Sequence, residues 1–454
     1  MGGLSSTRVL VATLLLACPS LAGGQPSSPA RWIASWGSAQ MIPAAENALP
    51  PARSRDLTLR QVVRLSAAGK RLRVRFSNVF GTAPLLISRA HVARPAGGPR
   101  LAAGSGRMLA FGGQTAVTIA AGAEVYSDPV SIALEPGADL AISLHLPSVP
   151  SVQTGHPGSR ATSYLIAGDS VAVDDPSGAE ASARWWVLAD VEVEAPAGAA
   201  AVVAIGDSIT DGYGVAPDTH ARWTDTFAAR LRADPDTRAI GVVNAGIGGN
   251  RVLLDGLGPN LLARFDRDVV ARSGVRWAIM LEGVNDIGVL TRDGLVDAAA
   301  HKALVTRITQ GYAELAARAH AHGIKLIAGT IMPFGGNDYY NPGAATEADR
   351  QAINRFIRTS GTFDAVIDFD RIMRDPVRPD RLAPAFDSGD HLHPSMAGYK
   401  AMGDAVPLAM FTDGVGAKRS AERGPLHSRE AALGRQSVTY DTGAAERVQV
   451  ARVE

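Results

Sequence analysis

Four short tracts carry the residues that could do chemistry. Gly206-Asp207-Ser208-Ile209-Thr210 offers a hydroxyl, and Asn244-Ala-Gly-Ile-Gly-Gly249-Asn250 offers a glycine-rich turn with backbone N–H groups. Glu282-Gly-Val-Asn285-Asp286 offers a carboxamide, and Asp387-Ser-Gly-Asp390-His391-Leu-His393-Pro394 offers paired carboxylates and imidazoles. Together these are the parts for acyl transfer. A serine hydroxyl is a poor nucleophile until a base takes its proton. A histidine three residues after an aspartate can be that base while the aspartate orients the ring. The oxyanion then needs preorganised donors, and Ser208 N–H, a glycine N–H and an asparagine amide can supply three. Ester hydrolysis by this route needs no metal and no cofactor. Taken alone, Ser208 is as well suited to capping a helix, since Ser and Asp are favoured caps.

These tracts must be brought to one place by the elements before them. Residues 201–205 form an apolar run that turns abruptly polar and glycine-rich, with a helical pattern from about Trp223, which reads as strand, tight turn, helix. The same alternation recurs four more times: 241–243 then 259–271, 277–281 then 298–322, 325–331 then 346–358, and 365–369 then 395–411. Five βα units predict a parallel sheet covered on both faces by right-handed crossovers. The polar tracts then lie beyond the carboxyl ends of its strands, where open α/β sheets gather their chemistry. Upstream, from Arg31 to about Val193, the text is β-like. Arg71-Leu-Arg-Val-Arg-Phe76 alternates strictly, residues 115–119, 140–146 and 185–193 are further short strands, and Gly, Pro and Asn punctuate them. Short alternating strands with turn signals predict an all-β sandwich of jelly-roll type over 31–193. Residues 194–200 read as a small-residue linker, 201–414 as the α/β domain, and 415–454 as a polar, aperiodic and disordered tail.

From Val202 to Phe411 the four tracts, in this order and spacing, resemble the SGNH/GDSL hydrolase family. Gly206-Asp207-Ser208 matches its first block, the turn from Asn244 to Gly249 its second, Gly283-Val-Asn285-Asp286 its third, and Asp390-His-Leu-His393-Pro394 its last. Ile209 stands where the common family name has leucine. The resemblance implies a flavodoxin-like α/β/α sandwich with Ser208 as nucleophile, His393 as general base and Asp390 as its partner. It also implies an oxyanion hole of Ser208 N–H, Gly249 N–H and Asn285. The upstream half, with Ala34-Ser-Trp-Gly-Ser-Ala39 and the Val79-Phe-Gly-Thr82 turn, resembles the β-sandwich preceding this domain in some exported bacterial members.

Other roles compete for several of these residues. Gly246 or Gly248 could donate in place of Gly249, and His391 could serve in place of His393. Asp387, Asp390, His391 and His393 have the ligand types of a metal cluster. Asp207 is read as bonding turn backbone, and Asp286 as an N-cap. Trp185-Trp186 is a sugar platform, or one ring in the core and one at an interface. Phe334, Tyr339 and Tyr340 follow the fourth strand and could line a pocket.

The chain has 454 residues, 46% hydrophobic content and a formal net charge of +1, which gives no electrostatic case for a nucleic-acid partner. Arg8, the apolar stretch 9–17 and Ser20-Leu21-Ala22 read as an export signal over 1–22, cleaved after Ala22, for a secreted or periplasmic protein. Leu15-Leu-Ala-Cys18 is a competing lipoprotein site, and Cys18 is the sole cysteine, so the mature chain has no disulfide. No later apolar run is long enough to span a membrane. The expected function is hydrolysis of short-chain esters, acetyl groups on carbohydrate first among them. The alternatives are acyl transfer to a sugar hydroxyl by the same site, and polysaccharide binding with an inactive hydrolase domain.

Overall fold

The computed structural model describes residues 31–412. The export signal and the polar tail read from the sequence lie outside the described residues. Among those residues, no helix is long and apolar enough to cross a membrane.

The upstream half consists mainly of antiparallel sheets. A four-stranded sheet runs in the order Arg31–Gly37, Leu188–Ala195, Leu72–Ser77, Glu124–Tyr126. A six-stranded sheet has Arg55–Arg64 and Asp139–Ser148 at its centre. The alternation read from 71–76 puts Leu72, Val74 and Phe76 in one buried cluster with Leu59, Ile142 and Leu144 of the larger sheet. Burying each such side chain contributes about 1.5–3 kcal/mol. Trp185 and Trp186 are both 3% exposed, so neither is a sugar platform. Trp186 donates its indole N–H to the Asn47 carbonyl at 3.1 Å, and Trp185 packs edge-on against Trp36.

The downstream half holds a five-stranded parallel sheet. In chain order its strands are Ala200–Gly206, Ile240–Gly246, Val275–Leu281, Lys325–Gly329 and Ala365–Ile367, and in space they run second, first, third, fourth, fifth. This is the flavodoxin-like order, with the switch point beside the first strand. Every residue from Ala200 to Gly206 is buried, as a strand covered on both faces requires. Helix Trp223–Ala233 packs on Met396–Ala405, whereas Ala298–Ala321 packs on Ala344–Thr359. The helical stretch expected over 259–271 is α-helical only from Leu261 to Phe265 and continues as a π-turn from Asp266 to Val270. The stretch 395–411 breaks at Pro407, after which Leu408–Phe411 form a 3-10 turn.

The two halves are tied together by buried contacts. Residues 194–195 and 200 belong to strands, so only 196–199 connect them. Arg272 of the downstream half pairs with Asp190 of the upstream half at 2.8 Å and donates to the Ser38 carbonyl at 3.0 Å. Ser66 Oγ bonds both the N–H and the carbonyl of Val242, at 2.7 and 3.1 Å. Ala34, Ala39 and Met41 lie in the same apolar cluster as the parallel strands.

Candidate active site

The first strand ends at Gly206 in register with Leu281 and Gly246, so the first three tracts start at one level of the sheet. Ser208 opens a one-turn helix, Ser208–Asp211, and Asp207 caps it by accepting the Ile209 N–H at 2.9 Å. The cap and the candidate nucleophile are therefore neighbouring residues, which resolves the ambiguity of the turn.

Ser208 Oγ lies 2.8 Å from His393 Nε2, across 185 residues of chain. His393 Nδ1 lies 2.5 Å from Asp390 Oδ2. A carboxylate can only accept, so Nδ1 carries the proton and Nε2 presents its lone pair to the hydroxyl. The backbone N–H groups of Leu392 and His393 bond Asp390 Oδ1 at 2.9 and 2.8 Å. Burial works against ionisation of Asp390. The His393 side chain and these two N–H groups outweigh it and hold the carboxyl well below the usual range. His391 turns to Asp387 instead, with Nδ1 2.6 Å from Oδ2. The four candidate metal ligands thus pair two by two, and among the described residues no group of three or more such side chains could hold an ion.

Asn285 lies in the first turn of helix Val284–Arg292, directly after the third strand. Its Nδ2 donates to the Asn250 carbonyl at 2.7 Å, and its Oδ1 accepts from Tyr340 Oη at 2.6 Å. The carbonyl and the phenol fix which end of the amide is which, and leave the second N–H of Nδ2 free. Gly246 N–H is already given to Asn244 Oδ1 at 2.9 Å, so Gly246 is not a free donor. Gly248 and Gly249 both line the pocket that holds Ser208, Asn285 and His393. Gly249 has φ +70°, a left-handed conformation that side chains rarely adopt. The pocket is open, with a cavity volume of about 570 Å³ and Tyr213, Leu257, Tyr339 and Tyr340 among its walls. Phe334 is buried in the core.

Asp286 is not an N-cap. Gly283 occupies that position, and Asp286 lies inside the helix with its carboxylate turned to the second tract. It accepts from Val252 and Leu253 N–H at 2.8 and 3.1 Å. Beneath the same loop, the fully buried Arg264 donates to Asn250 Oδ1 at 2.9 Å, Ala245 O at 2.7 Å and Gly206 O at 2.8 Å. It joins the ends of the first two strands to the residue that holds Asn285. No local pattern in the sequence marks it; the contact spans 58 residues.

A buried acidic cluster lies below the site. Burial pushes Asp207 up to about 7 and Asp286 up to about 6. It also raises Glu282 well above its usual range, helped by the neighbouring Asp207. Neither carboxylate oxygen of Glu282 has a hydrogen-bond partner, and Arg264 approaches only to 3.9 Å. A raised folded pKa means the native state holds protons the unfolded chain has released. The contribution of these carboxyls to stability therefore falls as pH rises from about 4 through about 7. The melting temperature of Glu282→Gln should exceed the wild type's by about 2–5 °C at pH 8 and match it at pH 5. Calorimetry at the two pH values checks this, and an equal difference at both would refute it.

Residues 204–401 match the GDSL-like lipase/acylhydrolase family. They form a GDSL-like acylhydrolase domain. The chain is therefore a hydrolase acting on esters. Several solved structures are similar to it. A GDSL-like lipase from Bacteroides thetaiotaomicron is 19% identical, with 46% of this chain and 87% of that one covered and a TM-score of 0.34. A member of the lipolytic G-D-S-L family from Veillonella parvula is 19% identical, covering 47% of this chain and 100% of that one, TM-score 0.34. A catalytic mutant of an acetylxylan esterase from Geobacillus stearothermophilus is 21% identical, covering 48% and 94%, TM-score 0.34. No curated protein matches the chain. Within the acylhydrolase domain, sequence reading passed over Arg264 and gave no role to Asn250, although Asn250 stands at the end of the second tract.

Proposed function

We propose that the protein is an exported serine esterase that removes short acyl groups, acetyl first, from carbohydrate. The reading rests above all on one observation: the unbroken relay from Ser208 through His393 to Asp390, which opens onto a pocket that Asn285 and Gly249 also line. Ser208 gives its proton to His393 Nε2 as Oγ attacks the ester carbonyl. Ser208 N–H, Gly249 N–H and Asn285 Nδ2 take the oxyanion. Collapse breaks the bond to the alcohol, which leaves with the proton from His393. A water molecule then gives its proton to His393, attacks the acyl-enzyme and releases the acid and Ser208.

Two features favour a sugar alcohol with a short acyl group. Tyr213 and Tyr339 stand at the pocket wall with 51% and 61% of their surface exposed, and exposed rings suit stacking on a pyranose. A pocket this open would leave much of a long acyl chain in water, forfeiting the apolar burial that pays for its binding. On p-nitrophenyl esters, kcat/KM for acetate should exceed that for octanoate by at least about tenfold. Acetylated polysaccharides should release acetate. A preference for octanoate would overturn the short-chain reading, and absence of acetate release would overturn the carbohydrate one.

A further inference from the structure

The helical turn that begins with Ser208 ends with Asp211, and Asp211 is held by the upstream half of the chain. Its side chain is buried, with Oδ1 2.9 Å from His156 Nε2. His156 lies in the short strand Gly155–His156, and its Nδ1 is 2.8 Å from the Ala39 carbonyl. Both ring nitrogens thus face acceptors on opposite sides, one from each half. A Cβ on Gly158 would lie 1.9 Å from Asp211 Oδ2, so the approach is as close as backbone allows.

Arg160 follows in the same loop. Its Nη2 lies 3.7 Å from Asp211 Oδ2, and its guanidinium carbon lies 5.8 Å from the centroid of the Tyr213 ring. Arg160 has φ +49°, a conformation that is costly for a side-chain-bearing residue. Bonds from Asp218 N–H to the Arg160 carbonyl (3.0 Å), and from Thr162 N–H to Asp218 Oδ1 (2.7 Å), hold the loop there. Tyr213 in turn donates its N–H to the Ser208 carbonyl at 2.8 Å. Its ring lies over the His393 imidazole with centroids 4.2 Å apart and a tilt of 31°.

We propose that His156 and Arg160 are positioning residues that hold His393 against Ser208 through Asp211 and Tyr213. The upstream half is then a fixed component of the hydrolytic site and not a detachable module. The inference rests on the esterase reading above. An imidazole held on one edge by Asp390 can still swing about that bond. The Tyr213 ring blocks the swing, and Arg160 keeps the ring in place by cation–π attraction. Misplacing a catalytic group by a fraction of an ångström is enough to slow the chemical step.

The test uses the full chain with p-nitrophenyl acetate. Arg160→Gln, Arg160→Lys, His156→Gln and Ser208→Ala are compared for kcat, KM, melting temperature and the fraction of protein labelled by a fluorophosphonate. Arg160→Gln is expected to lower kcat roughly tenfold, with KM within about twofold and the labelled fraction unchanged, although labelling slows in parallel with kcat. Arg160→Lys keeps the cation and should restore more than about half of the rate. His156→Gln should lower kcat in the same way, and gives a second reading if Arg160→Gln does not fold. A wild-type kcat in both the Arg160→Gln and His156→Gln variants, with Ser208→Ala inactive, overturns the inference and leaves the esterase reading standing. Loss that follows only a smaller labelled fraction also overturns it, since that reports misfolded protein. A wild type no faster than Ser208→Ala removes the esterase reading itself.

Discussion

Replacing His393 with alanine is expected to lower kcat/KM on p-nitrophenyl acetate by about 10⁴-fold or more, to the level of Ser208→Ala. His391→Ala should cost less than about tenfold. The two histidines are two residues apart, share a loop and each pair with an aspartate, so the sequence offers both. They differ in what the other ring nitrogen meets. His393 Nε2 is 2.8 Å from Ser208 Oγ, whereas His391 Nδ1 is taken by Asp387 and its side chain is 42% exposed. Removing either member of a nucleophile–base pair costs nearly as much as removing both, because neither works alone. Ser208→Ala, His393→Ala and the double variant should therefore be equally inactive. A greater loss in His391→Ala than in His393→Ala would reverse the choice of base.

The parts of the fold legible in the sequence are those set by local pattern. The apolar run 201–205, repeated in kind four times with helical text between, is enough for a parallel sheet, and each strand was placed within a few residues. Where two short elements abut, pattern loses resolution. Only Glu282 and Gly283 separate the third strand from helix Val284–Arg292, so Asp286 resembles a cap although it lies inside the helix. The tryptophan pair shows a second limit of local pattern. Alternation puts the two rings on opposite faces of the strand, but it does not tell that both faces are covered, and both rings are buried. In the site, the residues that touch the proposed reaction stand in short motifs and could be named. The residues that hold them could not. Arg264 reaches Gly206 across 58 positions, Tyr340 reaches Asn285 across 55, and His156 reaches Asp211 across 55. Such contacts exist only once the sheet is assembled, and an arginine, tyrosine or histidine in isolation carries no mark of them.

That division between touching and holding can be measured at the oxyanion hole. Asn285→Ala is expected to lower kcat by about 10²–10³ with a much smaller change in KM, because in the proposed mechanism the amide bonds an oxygen whose charge appears only in the transition state. Tyr340→Phe should lower kcat by a smaller factor, roughly three- to tenfold. Burial raises the Tyr340 phenol above its usual range, so it stays protonated and donates to Asn285 Oδ1 throughout the working pH range. The phenylalanine variant removes that donor yet leaves Asn285 Nδ2 on the Asn250 carbonyl, so the amide is loosened and not lost. In Asn285→Ala the phenol has nothing left to orient, and adding Tyr340→Phe should cost little more. The two effects should thus be strongly non-additive in a double-mutant cycle. Additive losses would mean that Tyr340 acts on the substrate directly, and an Asn285→Ala variant within about threefold of wild type would remove the amide from the oxyanion hole.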